Sequence, residues 1–149
     1  MKLQSLIDEQ FVVYDCEVTD KQSLFQFASE LLYKNERIEN TDLFLDAVNQ
    51  RESLSTTGIG HGIAIPHAKS TAVKAPTLLI LKLKQSIAYD ALDQKPVSLV
   101  FMIAMPKQST DLYLQMLSLL SRRLTDKNLL EALKQSQTKA RFMQVLTTL

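Results

Sequence analysis

The chain has 149 residues, of which 46% are hydrophobic and 22% charged, and its 17 basic residues nearly balance its 16 acidic ones. These are the proportions of a globular protein that buries its own core. The charges nearly balance and neither sign forms a long block, so the sequence shows no basic segment of the kind that binds nucleic acid or anionic membranes. No apolar run reaches membrane-spanning length, so we expect one cytoplasmic domain over residues 1–149, without nucleic-acid partners and without membrane insertion.

The single cysteine, Cys16, excludes a disulfide within the chain and a cysteine-rich zinc module. Its neighbours are apolar and acidic, an environment that does not favour the thiolate. We therefore interpret Cys16 as a structural thiol.

A strand and a helix are predicted first along the chain. The β-branched and aromatic run Phe11–Asp15 predicts the strand. Thr19, followed three residues later by Gln22, fits a capping box that begins the helix. The predicted buried stripe of this helix is Leu24, Phe27, Ala28, Leu31 and Leu32.

The second predicted helix is Thr41–Glu52, and it brings Arg51 and Glu52 to its last turn. Its predicted inward-facing residues are Leu43, Ala47 and Val48. The glycine-containing segment follows immediately.

Strands and helices alternate in the rest of the chain. Three strands are predicted. The first lies within GIAIPHA, the second is Thr77–Lys84, and the third is Val97–Ala104, which Pro106 ends. The nearly continuous apolar character of Val97–Ala104 predicts a central strand covered on both faces. Three helices are also predicted. The first begins at Ser109 or Thr110, and its apolar stripe is Tyr113, Met116, Leu117, Leu120 and Leu124. The other two are Asp126–Lys134 and Thr138–Leu146. The order predicts a single layered α/β domain, a central mixed β-sheet flanked by helices on both faces.

The segment Ser55–Lys69, STTGIGHGIAIPHAK, contains all three glycines and both histidines of the chain. The G-x-G-x-G spacing of its glycines matches neither the dinucleotide fingerprint nor the phosphate loop. His61 and His67 do not have a recognised metal-ligand spacing, and no serine occupies a G-x-S-x-G elbow. We therefore expect no metal and no cofactor.

A histidine that itself accepts a group fits the segment better. A neutral imidazole attacks phosphorus when one ring nitrogen is free and the other N–H is held. Phosphoryl transfer also needs donors around three oxygens. The glycine backbone, the Thr57 hydroxyl and the Arg51 guanidinium are candidates for those donors.

The segment Arg51–Lys69, RESLSTTGIGHGIAIPHAK, resembles the phosphorylation-site signature of the fructose/mannitol-type enzyme IIA domains of the bacterial phosphoenolpyruvate-dependent sugar phosphotransferase system. The later segments VSLVFMIAMP and DLYLQMLSLLSRRL resemble the core strand and following helix of that family, so the resemblance covers most of the chain. It implies that His67 is the phosphorylated residue and that Arg51 is the active-site arginine.

The other site residues take their expected roles from the same resemblance. Gly58, Gly60 and Gly62 would shape a turn beside the phosphoryl site, and Pro66 would fix the backbone that presents His67. His61 occupies a position that the signature leaves free and is interpreted as peripheral or partner-facing. Two alternatives stay open: His67 is a buried core histidine, and Arg51 forms a surface ion pair with Glu52 or Asp46.

The helix after the core strand departs from the family pattern. Many members carry a second active-site histidine there, at a position that corresponds to Asp111 in this sequence. Asp111 either faces His67, where it would hold the ring N–H or repel a phosphoryl group, or is an ordinary carboxylate at a helix N-terminus.

Two functions are compatible with the resemblance. The first is a sugar-transport phosphocarrier: His67 accepts a phosphoryl group from phosphorylated HPr and passes it to a cysteine of enzyme IIB, through which the protein would meet the membrane component IIC. Ile59, Ile63 and Ile65 are candidates for the docking surface, although alternate residues of this segment must face the core. The second is a nitrogen-type regulatory module, in which phosphorylation of the same histidine switches partner binding.

Overall fold

The computed structural model describes residues 2–147, so residues 1, 148 and 149 of the predicted domain lie outside the described residues. Two short 3-10 turns, Leu3–Leu6 and Glu9–Phe11, precede the first strand. The regular elements are β1 (Val12–Cys16), α1 (Lys21–Lys34), α2 (Thr41–Leu54), β2 (Gly58–Gly60), β3 (Ile63–Ala64), β4 (His67–Ser70), β5 (Thr77–Ile87), β6 (Val97–Pro106), α3 (Thr110–Arg123), α4 (Lys127–Gln135) and α5 (Lys139–Thr147).

The strands form one mixed sheet in the order β1-β5-β6-β3-β2. β6 is central: it pairs with β5 in antiparallel orientation on one side and with β3 and then β4 in parallel orientation on the other. Eight of its residues are buried, and Pro106 is the last residue of the strand. The predicted central strand is thereby confirmed.

Helices cover both faces of the sheet, as the sequence predicts. Alternate side chains of a strand point to opposite faces, so β5 and β6 each contribute to two separate cores. The first core joins α1 and α2 to Leu79, Leu81, Val100 and Met102. The second joins α3, α4 and α5 to Leu78, Ile80, Leu99, Phe101 and Ile103. The predicted α/β architecture is confirmed.

The N-cap of α1 is Asp20 and not Thr19 as predicted. The Asp20 carboxylate accepts a hydrogen bond from the Ser23 backbone N–H at 2.7 Å, and the Ser23 hydroxyl oxygen accepts one from the Asp20 N–H at 3.0 Å. A carboxylate and a serine thus form the reciprocal box one residue later than predicted. The predicted stripe is buried at Leu24, Ala28 and Leu32 and half-buried at Phe27 and Leu31.

α2 buries Phe44 and Val48, four residues apart on one face. The predicted inward position of Leu43 was wrong, because that side chain is 50% exposed. The helix ends at Leu54, so its last turn does contain Arg51, as predicted.

Two features of the strands differ from expectation. The strand predicted in GIAIPHA is divided into β3 and β4; Pro66, which lacks an N–H, lies in the interruption. β5 also runs three residues further than predicted, to Ile87.

Cys16 is buried, and burial raises the pKa of its thiol to about 11. A thiol with so high a pKa stays protonated at pH 7, which supports its structural interpretation. Within residues 2–147, every helix is too short or too polar to cross a bilayer.

Candidate functional site

His67 is the first residue of β4, where it pairs with Ile103 of the central strand. The preceding residue, Pro66, has its carbonyl bonded to the Ile103 N–H at 3.0 Å, which holds this point of the chain against β6. The imidazole is 9% exposed, and its Nδ1 lies 2.7 Å from the Ile65 carbonyl oxygen. The ring is therefore fixed by the backbone immediately before it.

Arg51, in the last turn of α2, determines the tautomer of His67. Its Nε donates a hydrogen bond to His67 Nε2 at 3.1 Å. Because a guanidinium has only donors, Nε2 must carry the lone pair and Nδ1 the proton, which it donates to Ile65. Arg51 Nη1 also donates to the Ser55 carbonyl at 2.9 Å. Among residues 2–147, Arg51 forms no ion pair with Glu52 or Asp46, the alternative left open from the sequence.

The surroundings keep the His67 ring neutral. Burial lowers its pKa below the ordinary imidazole value, and the Arg51 charge lowers it further, whereas the hydrogen bond to Ile65 and the charge of Glu52 act in the opposite direction. The balance leaves the pKa low, so at pH 7 the ring is uncharged and Nε2 keeps its lone pair. This is the protonation state that a nucleophilic histidine requires.

Tyr113, on the second turn of α3, packs against His67 with the ring centroids 5.6 Å apart. Lys69 lies two residues beyond His67 on β4; its Nζ is 5.5 Å from the centroid of the Tyr113 ring and donates to Thr110 Oγ1 at 3.1 Å. From the sequence, Tyr113 was expected only in a hydrophobic stripe, and Lys69 was not identified as a site residue. The alternation of side chains along a strand was the available signal for Lys69, since residues 67 and 69 share a face.

Asp111 is not among the residues that hydrogen-bond to His67 or act on its pKa within residues 2–147. Its side chain is exposed and, within residues 2–147, makes no hydrogen bond or ion pair. It lies in the first turn of α3, where a carboxylate is favoured by the helix dipole. Tyr113, two residues further along the helix, is the residue whose ring meets His67.

Glu52, adjacent to Arg51, is the centre of a buried hydrogen-bond network. Its side chain is 8% exposed and forms an ion pair with Lys21 at 3.3 Å. Its carboxylate accepts hydrogen bonds from the Thr57 N–H at 2.9 Å, the Thr57 hydroxyl at 2.5 Å and the Tyr89 hydroxyl at 3.2 Å. The Thr57 hydroxyl, a candidate phosphoryl donor from the sequence, is 4% exposed and is engaged with Glu52 and Tyr89.

Lys21 and Tyr89 were not identified from the sequence. They lie 31 and 37 residues from Glu52 along the chain, and no local motif connects them. Lys21 Nζ also lies 4.4 Å from the centroid of the Tyr89 ring. Only the fold brings α1 and the segment after β5 to the end of α2.

The three glycines lie in two different structural environments. A Cβ on Gly58 would lie 2.8 Å from the Ala91 Cα, so this position admits no side chain without movement of the backbone next to Tyr89. Gly60 and Gly62 have positive φ, +104° and +79°, on either side of His61 at 57°. They form the hairpin turn that joins β2 to β3.

This turn is distant from His67. The Gly62 carbonyl accepts from the Leu99 N–H, and Ile63 pairs with Leu99, whereas His67 pairs with Ile103. Four residues of an extended strand separate these positions by about 13 Å. The structure thus separates Gly60 and Gly62 from His67, contrary to the expectation that all three glycines lie beside it.

His61 is exposed on the same turn, with its backbone N–H bonded to the Asp93 carboxylate at 3.0 Å and its carbonyl bonded to Lys134. It lines a cleft of about 680 Å³ between the turn and the ends of α3 and α4. Its side chain takes no part in the contacts around His67.

The apolar surface also differs from the prediction. Ile63 and Ile65 are 0% and 3% exposed and belong to the core, so their proposed place on a docking surface was wrong; Ile59 is 38% exposed. The exposed apolar side chains closest in sequence to the site are Leu54 at 82%, three residues after Arg51, and Leu114 at 57%, next to Tyr113.

The site thus combines one imidazole nitrogen that carries a lone pair with one guanidinium and one ammonium group, the two cations being suited to an anion. Within residues 2–147, no three His, Cys, Asp or Glu side chains are gathered so as to hold a metal ion. The fold and the site define an α/β domain in which a buried imidazole nitrogen with a lone pair lies beside a guanidinium.

Comparison with known proteins identifies the family. A sequence model of the family described as phosphoenolpyruvate-dependent sugar phosphotransferase system, EIIA 2, matches residues 5–148, and the chain belongs to that family. The fructose-specific EIIA component of Haloferax volcanii is 39% identical over 126 residues, which are 85% of this chain and 82% of that protein.

Two further similar proteins carry different functional names. The fructose-specific EIIABC component of Bacillus subtilis is 30% identical over 146 residues, which are 98% of this chain but only 23% of that protein. The crystal structure of the nitrogen regulatory protein IIA-Ntr of Neisseria meningitidis is similar with a TM-score of 0.87 and 31% identity, over 97% of this chain and 99% of that one.

Proposed function

We propose that the chain is a phosphoryl carrier in which His67 accepts a phosphoryl group from phosphorylated HPr and passes it to a cysteine of an enzyme IIB. The observation that supports this most directly is the neutral, lone-pair-bearing Nε2 of His67, held 3.1 Å from Arg51 Nε. Such a nitrogen can form a bond to phosphorus without prior loss of a proton.

The proposed transfer is an in-line displacement at phosphorus. The Nε2 lone pair forms the new N–P bond while the donor N–P bond breaks and its electron pair returns to the donor imidazole. The His67 ring then gains positive character, which the Nδ1–H bond to the Ile65 carbonyl stabilises. Arg51 moves its hydrogen bond from Nε2 to the phosphoryl oxygens, where its planar donors bind two of them.

Onward transfer reverses these steps. A thiolate of the recipient attacks phosphorus, the bond between phosphorus and Nε2 breaks, and its electron pair returns to Nε2 as the free lone pair. Arg51 then recovers its hydrogen bond to Nε2. The chain therefore ends the cycle unchanged and needs no cofactor.

Donor and recipient must both approach His67 over the same surface. Leu54 and Leu114, exposed beside Arg51 and Tyr113, supply apolar area there, and Lys69 supplies charge. The name of the EIIABC relative places A, B and C components in one protein, and for this chain we propose a IIB recipient and, through it, association with IIC. These encounters would occur in the cytoplasm.

A nitrogen-type regulatory module is the second candidate, and the similarity to the Neisseria IIA-Ntr protein favours it. In that function, the phosphoryl group on His67 changes the charge of the docking surface and so its affinity for a target protein. The same acceptor chemistry precedes both functions, and only the recipient differs.

The first experiment is incubation with phosphoenolpyruvate, enzyme I and HPr, followed by intact-mass measurement and peptide mapping under alkaline conditions that preserve phosphohistidine. We expect one phosphate on His67. His61→Ala, which changes the only other histidine, is the matched control and should be phosphorylated normally. Absence of phosphate from folded wild-type protein with an active donor mixture would overturn the carrier proposal.

The second experiment separates the two functions. Phosphorylated protein is mixed with IIB proteins encoded near its gene, and loss of phosphate from His67 is followed with time. Transfer to the IIB cysteine supports the transport function. Stable phosphohistidine in the presence of every such IIB, with phosphorylation-dependent retention of a target protein, supports the regulatory function.

A further inference from the structure

A continuous series of hydrogen bonds runs from Glu52 to the imidazole of His67. The Glu52 carboxylate accepts from the Thr57 N–H at 2.9 Å, and the Thr57 carbonyl accepts from the Ile65 N–H at 3.0 Å. The Ile65 carbonyl, in turn, faces His67 Nδ1 at 2.7 Å. Each bond fixes the group that makes the next one.

We propose that Glu52 is a positioning residue for phosphoryl acceptance: through Thr57 and Ile65 it holds His67 in the tautomer whose Nε2 is free to attack. The inference rests on the proposed function, because it concerns the same histidine. Glu52 does not touch the reacting atoms, yet it would share with Arg51 the control of which ring nitrogen reacts.

The Ile65 carbonyl and the Arg51 Nε–H together decide the tautomer. If the proton moved to Nε2, it would point at the Arg51 Nε–H, and the Nδ1 lone pair would face the Ile65 carbonyl oxygen. Both contacts would be repulsive. Loss of the Ile65 contact would therefore remove one of the two contacts that keep the lone pair on Nε2.

Glu52 is anchored well enough to perform this role. Three further donors act on its carboxylate besides the Thr57 N–H: the Thr57 hydroxyl, the Tyr89 hydroxyl and Lys21. A carboxylate that is 8% exposed needs such partners to offset its loss of hydration.

Glu52 and Arg51 are neighbours in the last turn of α2, and each acts on a different nitrogen of the His67 ring. Arg51 binds Nε2, while the network of Glu52 reaches Nδ1 through the loop. The two ring nitrogens are thus held from adjacent residues of one helix. Movement of the helix end relative to the loop at Thr57 would disturb both at once.

The first measurement reads the tautomer directly and uses no phosphoryl donor, and the second measures the rate of phosphorylation. In wild-type protein, long-range ¹H–¹⁵N spectra should show His67 protonated on Nδ1. In Glu52→Ala we expect a mixture of tautomers and, with the donor system added, phosphorylation slower by about tenfold or more, as when a carboxylate behind a ligand histidine is removed. Glu131→Ala, an exposed carboxylate on α4, is the matched control and should change neither.

Conservative variants separate positioning from general stability. Glu52→Gln keeps an oxygen for the Thr57 N–H and should restore the Nδ1–H tautomer and most of the rate. Tyr89→Phe removes one donor and should act in the same direction as Glu52→Ala but less strongly, so it serves if Glu52→Ala does not fold. An unchanged tautomer and rate in folded Glu52→Ala would overturn the inference.

Failure of the inference and failure of the carrier function remain distinguishable. The tautomer is measured before any phosphate is present. Wild-type protein that shows the Nδ1–H tautomer, loses it in Glu52→Ala and yet accepts no phosphate would contradict the carrier function alone. Normal phosphorylation of Glu52→Ala with an unchanged tautomer would contradict the positioning role alone.

Discussion

Arg51 Nε and His67 Nε2 are joined by a 3.1 Å hydrogen bond, so the nitrogen that attacks in the proposed transfer is covered by the group that would bind the transferred phosphate. The guanidinium keeps the lone pair on Nε2 while the site is empty. It also lowers the pKa of the imidazole by its positive charge. In the proposed transfer, Arg51 would thus prepare the nucleophile and already lie where the phosphoryl group is bound.

Replacement of Arg51 by alanine should slow phosphorylation of His67 by about 100- to 1,000-fold, the range found when one donor to a developing oxyanion is removed. Stopped-flow or quench measurements with phosphorylated HPr would give the rate. Arg122→Ala, which removes an exposed arginine from α3, is the matched control and should leave the rate unchanged. Equal rates for the two variants would exclude Arg51 from the site.

The pH dependence of phosphoryl acceptance follows from the lowered pKa of His67. Because burial and Arg51 depress this pKa below its ordinary value of 6.5, the ring should remain a nucleophile when the pH falls to 6.5, and acceptance should decline only at lower pH. An NMR titration of the imidazole in His61→Ala, which leaves a single histidine, would measure the pKa. A midpoint above 6.5 would contradict the prediction.

The same shift has a consequence for stability, with a definite sign. Between 6.5 and the lower folded pKa, the unfolded chain binds a proton at His67 and the folded chain does not. The free energy of unfolding should therefore decrease as the pH falls through this window. His67→Gln should weaken that part of the pH dependence, which denaturant unfolding at several pH values would detect.

The effects of Tyr113 and Asp111 on His67 can be distinguished by substituting each residue in turn. Tyr113→Ala uncovers one side of the imidazole, which should raise the His67 pKa toward its ordinary value, because burial is the largest cause of the depression. Tyr113→Phe keeps the ring and should leave the pKa nearly unchanged. Asp111→Asn should alter neither this pKa nor the phosphorylation rate, and a large effect of that variant would contradict the structure.

The sequence predicts the layers of this fold because its patterns are local. The apolar run at Val97–Ala104 identifies the central strand, and helical spacing of apolar residues identifies α1, α2 and α3. The errors are local as well. A carboxylate at Asp20 competes with Thr19 for the cap, and Leu43 is displaced from the core by Phe44, because periodicity alone does not fix the phase of a helix.

Only some of the site residues can be predicted from the sequence. Arg51 and His67 lie in one continuous signature, and the structure brings them into contact. Tyr113, Lys21 and Tyr89 meet this segment only through sheet pairing and helix packing, so no spacing rule finds them. The glycine spacing led to a wrong expectation. The β2–β3 turn is close to His67 in sequence, but the chain between them is extended, so the turn lies far from the imidazole.

A glycine comparison tests this division of the signature into two places. Gly58→Ala would force the new Cβ against the Ala91 backbone and displace Tyr89, a donor to Glu52. It should lower both the free energy of unfolding and the rate of phosphoryl acceptance. Gly60→Ala introduces strain at a φ of +104°, at a cost of about 1 to 3 kcal/mol in stability, but should leave the rate nearly unchanged.

Denaturant unfolding and phosphorylation rates, measured on the same two variants, decide whether the turn takes part in the chemistry. If Gly60→Ala slowed acceptance as much as Gly58→Ala at similar stability, the turn would have to act on His67 across about 13 Å of extended chain. The hydrogen-bonded path would then not be the main support of the imidazole, because Gly60 lies outside the series from Glu52 through Thr57 and Ile65. A selective effect of Gly58→Ala would instead identify the contact between Ala91 and Gly58 as the point where the segment after β5 secures the site.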